Sequence, residues 1–223
     1  MQLPIKDRRS AGRDLAALLN EFRERKDVIV LALPRGGVPV AYEIAATLGV
    51  PLDILTVRKL GLPGHEELAM GAIASGGVQV MNQDVVLFHQ VERDVIDATI
   101  QRETQELERR EQAYRGDRPR PSLRNKCVIL VDDGLATGAS MRAAVEAVNQ
   151  QSPARIVVAV PVAASVTINH LRESVDECVA LTTPEPLFAI SQWYENFGQT
   201  EDDEVKKLLR QAWRNQVMEP EMS

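Results

Sequence analysis

The stretch Val128-Ile129-Leu130-Val131-Asp132-Asp133-Gly134-Leu135-Ala136-Thr137-Gly138-Ala139-Ser140 decides how the rest of the chain is read. Its four apolar, mostly β-branched residues have the character of a strand buried on both faces of a parallel sheet. Two carboxylates, Asp132 and Asp133, stand where that strand should emerge. A loop of small residues follows, Gly134 to Ser140, and then a helical pattern through Met141, Ala144, Val145 and Val148. Strand, tight loop and helix N-terminus together build an anion site. Backbone N–H groups converge there, the helix dipole adds partial positive charge, and Thr137 and Ser140 add hydroxyl donors. An acidic pair beside a phosphate cradle makes chemical sense for a sugar phosphate. The carboxylates accept from vicinal ribose hydroxyls while the loop holds the phosphate.

Other phosphate loops fit poorly. A P-loop needs a Lys after its second Gly, and none follows Gly138; no Gly-x-Gly-x-x-Gly follows a strand candidate. The composition is that of an ordinary globular protein, 44% apolar and 26% charged. At 223 residues the chain is long enough for a core without staples. A net charge of −6 argues against a nucleic-acid binder that works by broad phosphate neutralisation. Cys127 and Cys178 lie in or at strand candidates and read as buried thiols, too few for a disulfide framework. No apolar run reaches the ~18 residues of a membrane span, and no signal-peptide core opens the chain, so a cytoplasmic location is expected.

Upstream, Asp7 to Arg25 carries a helical stripe, Leu15, Leu18, Leu19 and Phe22, with Ser10 as the expected N-cap. Val28 to Leu33 reads as a second buried strand. It ends in Pro34-Arg35-Gly36-Gly37, before a helix from Val38 through Leu48 that Gly49 stops. The glycines let backbone approach a ligand, and Arg35 can fork onto phosphate oxygens. Leu52 to Val57 reads as the next strand, completing a βαβ unit. After it come Arg58 and Lys59, then a Gly- and Pro-punctuated loop to Glu67, with His65 at the tip and Glu66 and Glu67 read as solvated. Ala69 to Ile73 and Val78 to Met81, split by Ser75-Gly76-Gly77, read as a hairpin.

Residues 84–118 differ in character. A short stripe, Phe88, Val91, Val95 and Ala98, gives way to a polar run with Glu103, Glu106, Glu108, Arg109, Arg110 and Glu111. The expectation is one or two helices projecting from the body as an insertion, or packing on a second subunit, with a solvated polar face and a favourable Glu106–Arg110 pair. Arg155 to Val160 and Cys178 to Leu181 read as strands flanking a helix from Ser165 to Glu173. Residues 182–203 hold four of the nine aromatic residues, Phe188, Trp193, Tyr194 and Phe197. They form either a satellite core over the sheet edge or part of a ligand site. Glu204 to Val217 reads as a closing amphipathic helix. Strands alternating with helices predict a single α/β domain over 1–223, doubly wound on a mostly parallel sheet, with both phosphate loops at C-terminal strand ends.

The segment from Val128 to Ser140, an apolar run, two acids, two spacers and Ala-Thr-Gly-x-Ser, resembles the phosphoribosyl-pyrophosphate motif of the type I phosphoribosyltransferases. With Pro34-Arg35-Gly36-Gly37, the Val57–Glu67 segment and Trp193-Tyr194, the chain is most similar to an uncharacterised bacterial branch of that family. The resemblance spans about Val28 to Leu181. It implies displacement of pyrophosphate at the ribose anomeric carbon by a nitrogen nucleophile, a nucleobase or related heterocycle, with Mg2+ on the ribose hydroxyls and pyrophosphate. In that light Asp132 and Asp133 hold the ribose hydroxyls and touch Mg2+ through water. Ala136, Thr137, Gly138, Ala139 and Ser140 hold the 5′-phosphate, and Arg35, Gly36 and Gly37 the pyrophosphate. Arg58 or Lys59 supplies a cation from a flexible catalytic loop, and Phe188 or Trp193 stacks the base within a hood over 182–203. Family members often carry a cis peptide in the loop of Pro34 to Gly37. The expected partners are phosphoribosyl pyrophosphate and a small nitrogenous acceptor, in a homodimer, with no nucleic acid and no membrane. Hypoxanthine-type enzymes carry an acid where this chain has Ala136, which weighs against a hypoxanthine or guanine acceptor. The alternative is a regulatory protein that binds phosphoribosyl pyrophosphate or a nucleotide in the same pocket without transfer.

Overall fold

Apolar runs at Val28–Ala32 (β1), Leu52–Ile54 (β2), Cys127–Val131 (β6), Arg155–Val162 (β7) and Glu177–Thr182 (β8) pair in parallel in the order β2-β1-β6-β7-β8. This computed structural model describes residues 3–217, and the side chains of residues 66, 67 and 215–217 lie outside the description. The sheet is doubly wound. Helices α1 (Arg8–Leu18), α2 (Gly37–Leu48) and α7 (Asp202–Val217) bury Leu15, Ile44 and Leu209 against Val30, Ile129 and Val157 on one face. On the other, α5 (Ala139–Asn149) and α6 (Ser165–Leu171) bury Val145, Val148 and Ile168 against Val128, Leu130 and Val158. Each central strand alternates between these two cores, which is why its sequence is apolar throughout.

Successive strands run outward from β1 to β2 on one side and from β6 to β7 and β8 on the other. The loops leaving β1 and β6 therefore diverge over opposite faces and leave a crevice between them, the place where ligands sit in open α/β sheets. Ala32 is level with Val131, so both loops start at the same height.

The expected strand Leu52–Val57 divides. Only Leu52–Ile54 joins the parallel sheet, and the expected flexible loop is instead a β-hairpin. Its strands β3 (Val57–Leu62) and β4 (His65–Ala74) pair antiparallel and continue through Ser75-Gly76-Gly77 into β5 (Val78–Met81), a separate three-stranded sheet. The glycine and proline residues that suggested a loop sit at a register irregularity around Gly61 and at the Pro63-Gly64 turn. The expected solvation of Glu66 and Glu67 lies outside the described residues.

The 84–118 segment forms α3 (Gln83–Phe88) and α4 (Arg93–Arg115). Their apolar stripe runs through Val85, Val86, Val91, Ile96, Ile100 and Leu107, packed on Leu60, Met70 and Ile73 of the small sheet. Phe88, expected on the stripe, is 83% exposed. The Glu106–Arg110 pair forms at 2.6 Å. Glu111, expected on the solvated face, is buried. It pairs with Arg115 and Arg120, and Arg115 reaches Asp53 of β2 at 2.8 Å. Two buried charges cross from helix to sheet here because each finds an opposite partner.

The first helix starts one turn earlier than expected. Asp7, not Ser10, is its N-cap, its carboxylate accepting from the Ser10 N–H at 2.7 Å. Cys127 is buried and Cys178 half-buried, and neither is in a disulfide. The aromatic segment does build a satellite core. Ile5, Ala11, Val162 and Tyr194 are buried together, with Leu187, Ile190, Trp193 and Phe197 packed on them. The chain near Ile5 pairs alongside Tyr194, with Ile5 N–H donating to the Trp193 carbonyl and Glu195 N–H to that of Ile5, each at 2.8 Å. Among the described residues no helix is long and apolar enough to cross a membrane.

Candidate active site

The loop after β6 is pinned at its root and open at its tip. Leu135 N–H donates to the Val162 carbonyl and its own carbonyl accepts from Ala164 N–H, both at 2.8 Å. Thr167 Oγ1 donates to the Ala136 carbonyl at 2.6 Å, and Arg142 Nη1 to the Thr137 carbonyl at 2.8 Å. Beyond the root, these bonds engage the loop's carbonyls. Among the described residues, the N–H groups from Ala136 to Met141 have no hydrogen-bond partner. Gly138, with φ of 72°, makes the left-handed turn into α5, and a Cβ there would fall 2.5 Å from Thr167 Cγ2. The result is a ring of backbone donors at a helix N-terminus, with the Thr137 and Ser140 side chains exposed beside it. The residues expected to hold a phosphate are thus brought together.

The loop after β1 lies directly against the acid pair. The Pro34–Arg35 peptide is cis. A Cβ on Gly36 would fall 2.0 Å from Asp133 Oδ2, and one on Gly37 would fall 2.6 Å from the Val131 carbonyl oxygen. No other residue type fits so close an approach. Arg35 is held from the far side by the entry to α7. Its Nη1 is 3.8 Å from Asp202 Oδ1, and the Gln199 amide, oriented by its surroundings with the oxygen toward the guanidinium, accepts from Nη2 at 3.0 Å. Asp202 also accepts from the Tyr114 hydroxyl at 2.6 Å; burial, and then this bond, push the Tyr114 pKa up to about 12.

The two acids differ. Burial, and then the charge of Asp133, push the Asp132 carboxyl well above the usual carboxylate range, while its Oδ1 accepts from Asp133 N–H at 2.8 Å. Asp133 instead meets a cation: Arg8 donates to its Oδ2 through Nε at 2.8 Å and lies 2.7 Å away through Nη2. Two like charges on adjacent residues are tolerated because one is neutralised and the other favours its proton. The Tyr194 hydroxyl donates to the Asp133 carbonyl at 2.8 Å, and Ile190 packs against Gly134.

Arg58 and Lys59 fall on opposite faces of β3. Arg58 donates to Glu103 of α4 through Nε at 2.7 Å and Nη2 at 2.5 Å. Lys59 is exposed, and its side chain has no hydrogen bond or ion pair among the described residues. Trp193 is half-buried in the satellite core, whereas Phe188 is 81% exposed. His65, at the hairpin, is exposed beside His89, with ring centroids 6.3 Å apart.

Arg8 and Ile190 are not among the residues that the sequence points to, and Tyr194, one of the four clustered aromatic residues, holds the Asp133 backbone rather than a base. Arg8 lies 125 residues from Asp133 in sequence, on a helix whose charged N-terminal turn reads as solvated. Nothing local signals its role.

As for metal binding, among the described residues no cluster of three or more acidic, histidine or cysteine side chains surrounds a common point. A pair of adjacent carboxylates at the crevice suits Mg2+, which takes one or two carboxylates with substrate oxygens and water rather than an all-protein cage.

A family model described as the phosphoribosyl transferase domain matches residues 3–196. Two provisionally named phosphoribosyl transferases of Mycobacterium tuberculosis, from strains CDC 1551 and H37Rv, are 44% identical over 209 residues. That alignment covers 94% of this chain and 47% of theirs, so the chain spans about half the length of these curated relatives. The crystal structure of TT1426 from Thermus thermophilus superposes with a TM-score of 0.83 at 40% identity, covering 93% of this chain and 98% of that one. A Neisseria gonorrhoeae protein solved with bound ppGpp shares the fold, with a TM-score of 0.50 at 15% identity and 92% of each chain covered. Sequence, fold and the convergence of the two strand-end loops agree, and the chain belongs to the phosphoribosyl transferase family.

Proposed function

We propose that this protein transfers the phosphoribosyl group of phosphoribosyl pyrophosphate to a small nitrogen nucleophile. The observation that carries this reading is the juxtaposition at the crevice. The donor-lined loop after β6 and the Arg35-Gly36-Gly37 loop after β1 flank one crevice, with the acid pair between them close enough to exclude a Cβ from Gly36. A sugar carrying a phosphate at one end, a diol in the middle and a pyrophosphate at the other matches that order.

In this reading the N–H groups from Ala136 to Met141, with Thr137 and Ser140, hold the 5′-phosphate. Asp132 and Asp133 take the ribose hydroxyls. Arg35, Gly36 and Gly37 meet the pyrophosphate. Lys59 is the better of the two cations for the departing charge, because Arg58 is committed to Glu103. In the transfer step the bond from the anomeric carbon to pyrophosphate oxygen breaks and a carbon–nitrogen bond forms, with the acceptor's proton lost to solvent or a base. Positive charge builds on the ribose ring as pyrophosphate leaves. The residues act by position and charge rather than by covalent chemistry. Mg2+, when held by Asp132 and Asp133 through water, supplies charge neutralisation for the leaving group.

Release of pyrophosphate from phosphoribosyl pyrophosphate, scored over a panel of nucleobases and related heterocycles, tests the reading. Turnover with at least one acceptor is expected. Lys59→Ala should lower kcat by about tenfold or more while changing KM little, the signature of a contact made in the transition state. Tight binding without turnover across the panel would favour the alternative, a regulatory protein that senses the same ligand. Homodimer formation, with a site in each subunit, belongs to the same proposal, and sedimentation would report it.

A further inference from the structure

Asp133 is held by more of the molecule than a ligand-binding acid needs. Its Oδ2 receives the Arg8 guanidinium and is also the atom that a Cβ on Gly36 would strike. Its carbonyl accepts from the Tyr194 hydroxyl. Arg8 is itself fixed on three sides. Its Nη1 donates to the Gly198 carbonyl at 2.6 Å, and its guanidinium carbon sits 3.9 Å above the Phe197 ring. The side chain is only 12% exposed although it stands at the first position of a helix.

We propose that Arg8 is the positioning residue that sets the site's selectivity for a vicinal diol, by presenting Asp133 through one oxygen. This inference rests on the assignment of Asp133 to the ribose hydroxyls. A carboxylate has two oxygens with about four acceptor positions. Arg8 and the Gly36 backbone occupy the surroundings of Oδ2, whereas no cation reaches Oδ1 among the described residues. Two Arg8 nitrogens on Oδ2, fixed in turn by the Gly198 carbonyl and the Phe197 ring, restrain rotation of the carboxylate. Lysine, a point charge on a flexible stem, would keep the charge and lose that restraint. The N-terminal helix and the aromatic segment 193–198 therefore contribute to sugar recognition through one side chain that touches neither phosphate loop.

The test compares two probes, ribose 5-phosphate and inorganic phosphate, titrated by NMR or calorimetry into the parent protein, Arg8→Ala and Arg8→Lys. Losing a charge-assisted fork should weaken ribose 5-phosphate binding by about tenfold in Arg8→Ala. Phosphate affinity should change by less than about twofold, since that group sits on the backbone donors after β6. Arg8→Lys, which keeps the charge, guards against a misfolded Ala variant and should still lose affinity for the sugar ester selectively. Equal losses for both probes would overturn the proposal in favour of a general electrostatic or structural role. Tighter ribose 5-phosphate binding in either variant would also overturn it, since Arg8 would then compete with the sugar. Should the parent protein bind ribose 5-phosphate no better than phosphate, the assignment of Asp133 to the diol fails first.

Discussion

At Gly36 a backbone atom and a carboxylate share a space that no side chain can enter. Gly36→Ala should therefore push Asp133 off its Arg8 contact. We expect ribose 5-phosphate affinity to fall by about tenfold or more, with the fold weakened by only about 1–3 kcal/mol, measured by titration and thermal melting. Parent-like affinity in a folded variant would mean that Asp133 does not need this geometry. At this scale legibility in the sequence was uneven. Asp132 to Ser140 announces itself because strand, acids, loop and helix are consecutive, and the local pattern carries the chemistry. Arg8 and Tyr194 reach the same acid only through tertiary packing, from opposite ends of the chain. As sequence neighbours Arg58 and Lys59 are hard to separate, with Lys59 slightly favoured. Strand alternation separates them, sending Arg58 to Glu103 and leaving Lys59 exposed.

Elements show the same division. The buried parallel strands are readable from unbroken apolar runs, and the hairpin of Ala69–Ile73 with Val78–Met81 forms as expected, whereas β3 and the first residues of β4 read as a loop. Gly61, Pro63 and Gly64 have the composition of a loop, and only pairing with a partner strand turns Gly61 into a bulge and the Pro-Gly pair into a hairpin turn. Glu111 likewise reads as solvated, because burial of a charge depends on a partner, here Arg120 beyond the helix as well as Arg115, that helical periodicity does not reveal. The Arg58–Glu103 pair joins this hairpin to α4. Burial raises the Glu103 carboxyl, but hydrogen bonds from Arg58 and Arg102 outweigh it and hold the pKa below its ordinary value. With the folded value below the unfolded one, its contribution is present above the ordinary carboxyl range and is lost as pH falls through the lowered value. Glu103→Gln should cost about 1–2 kcal/mol near neutral pH, and the gap to the parent protein should close in acid. A gap that stays constant across denaturation curves in acid would remove the charge from the explanation. Arg115→Ala should cost more, about 3–5 kcal/mol, because it takes the ion-pair partner from buried Asp53 and leaves Glu111 to Arg120 alone. Chemical denaturation would read that difference directly.

For the whole molecule, strand order does most of the positioning. Placing β1 beside β6 lets two loops that are distant in sequence open from one level over the same crevice, and the acid pair stands between them. The doubly wound sheet and both loops were legible from sequence, since each loop follows a strand that has no other way to read. The β4–β5 hairpin, the helices of 84–118 and a satellite core over the sheet edge are each readable as elements, but the packing of α4 on a third strand, β3, is not. Calorimetric titration with phosphoribosyl pyrophosphate, with and without Mg2+, puts the central claim to its most direct test. Mg2+ should strengthen binding to the parent protein, and the Asp132→Asn/Asp133→Asn double variant should lose that binding while remaining folded. A well-folded parent protein that binds no phosphoribosyl pyrophosphate, or a double variant that binds it undiminished, would contradict the account.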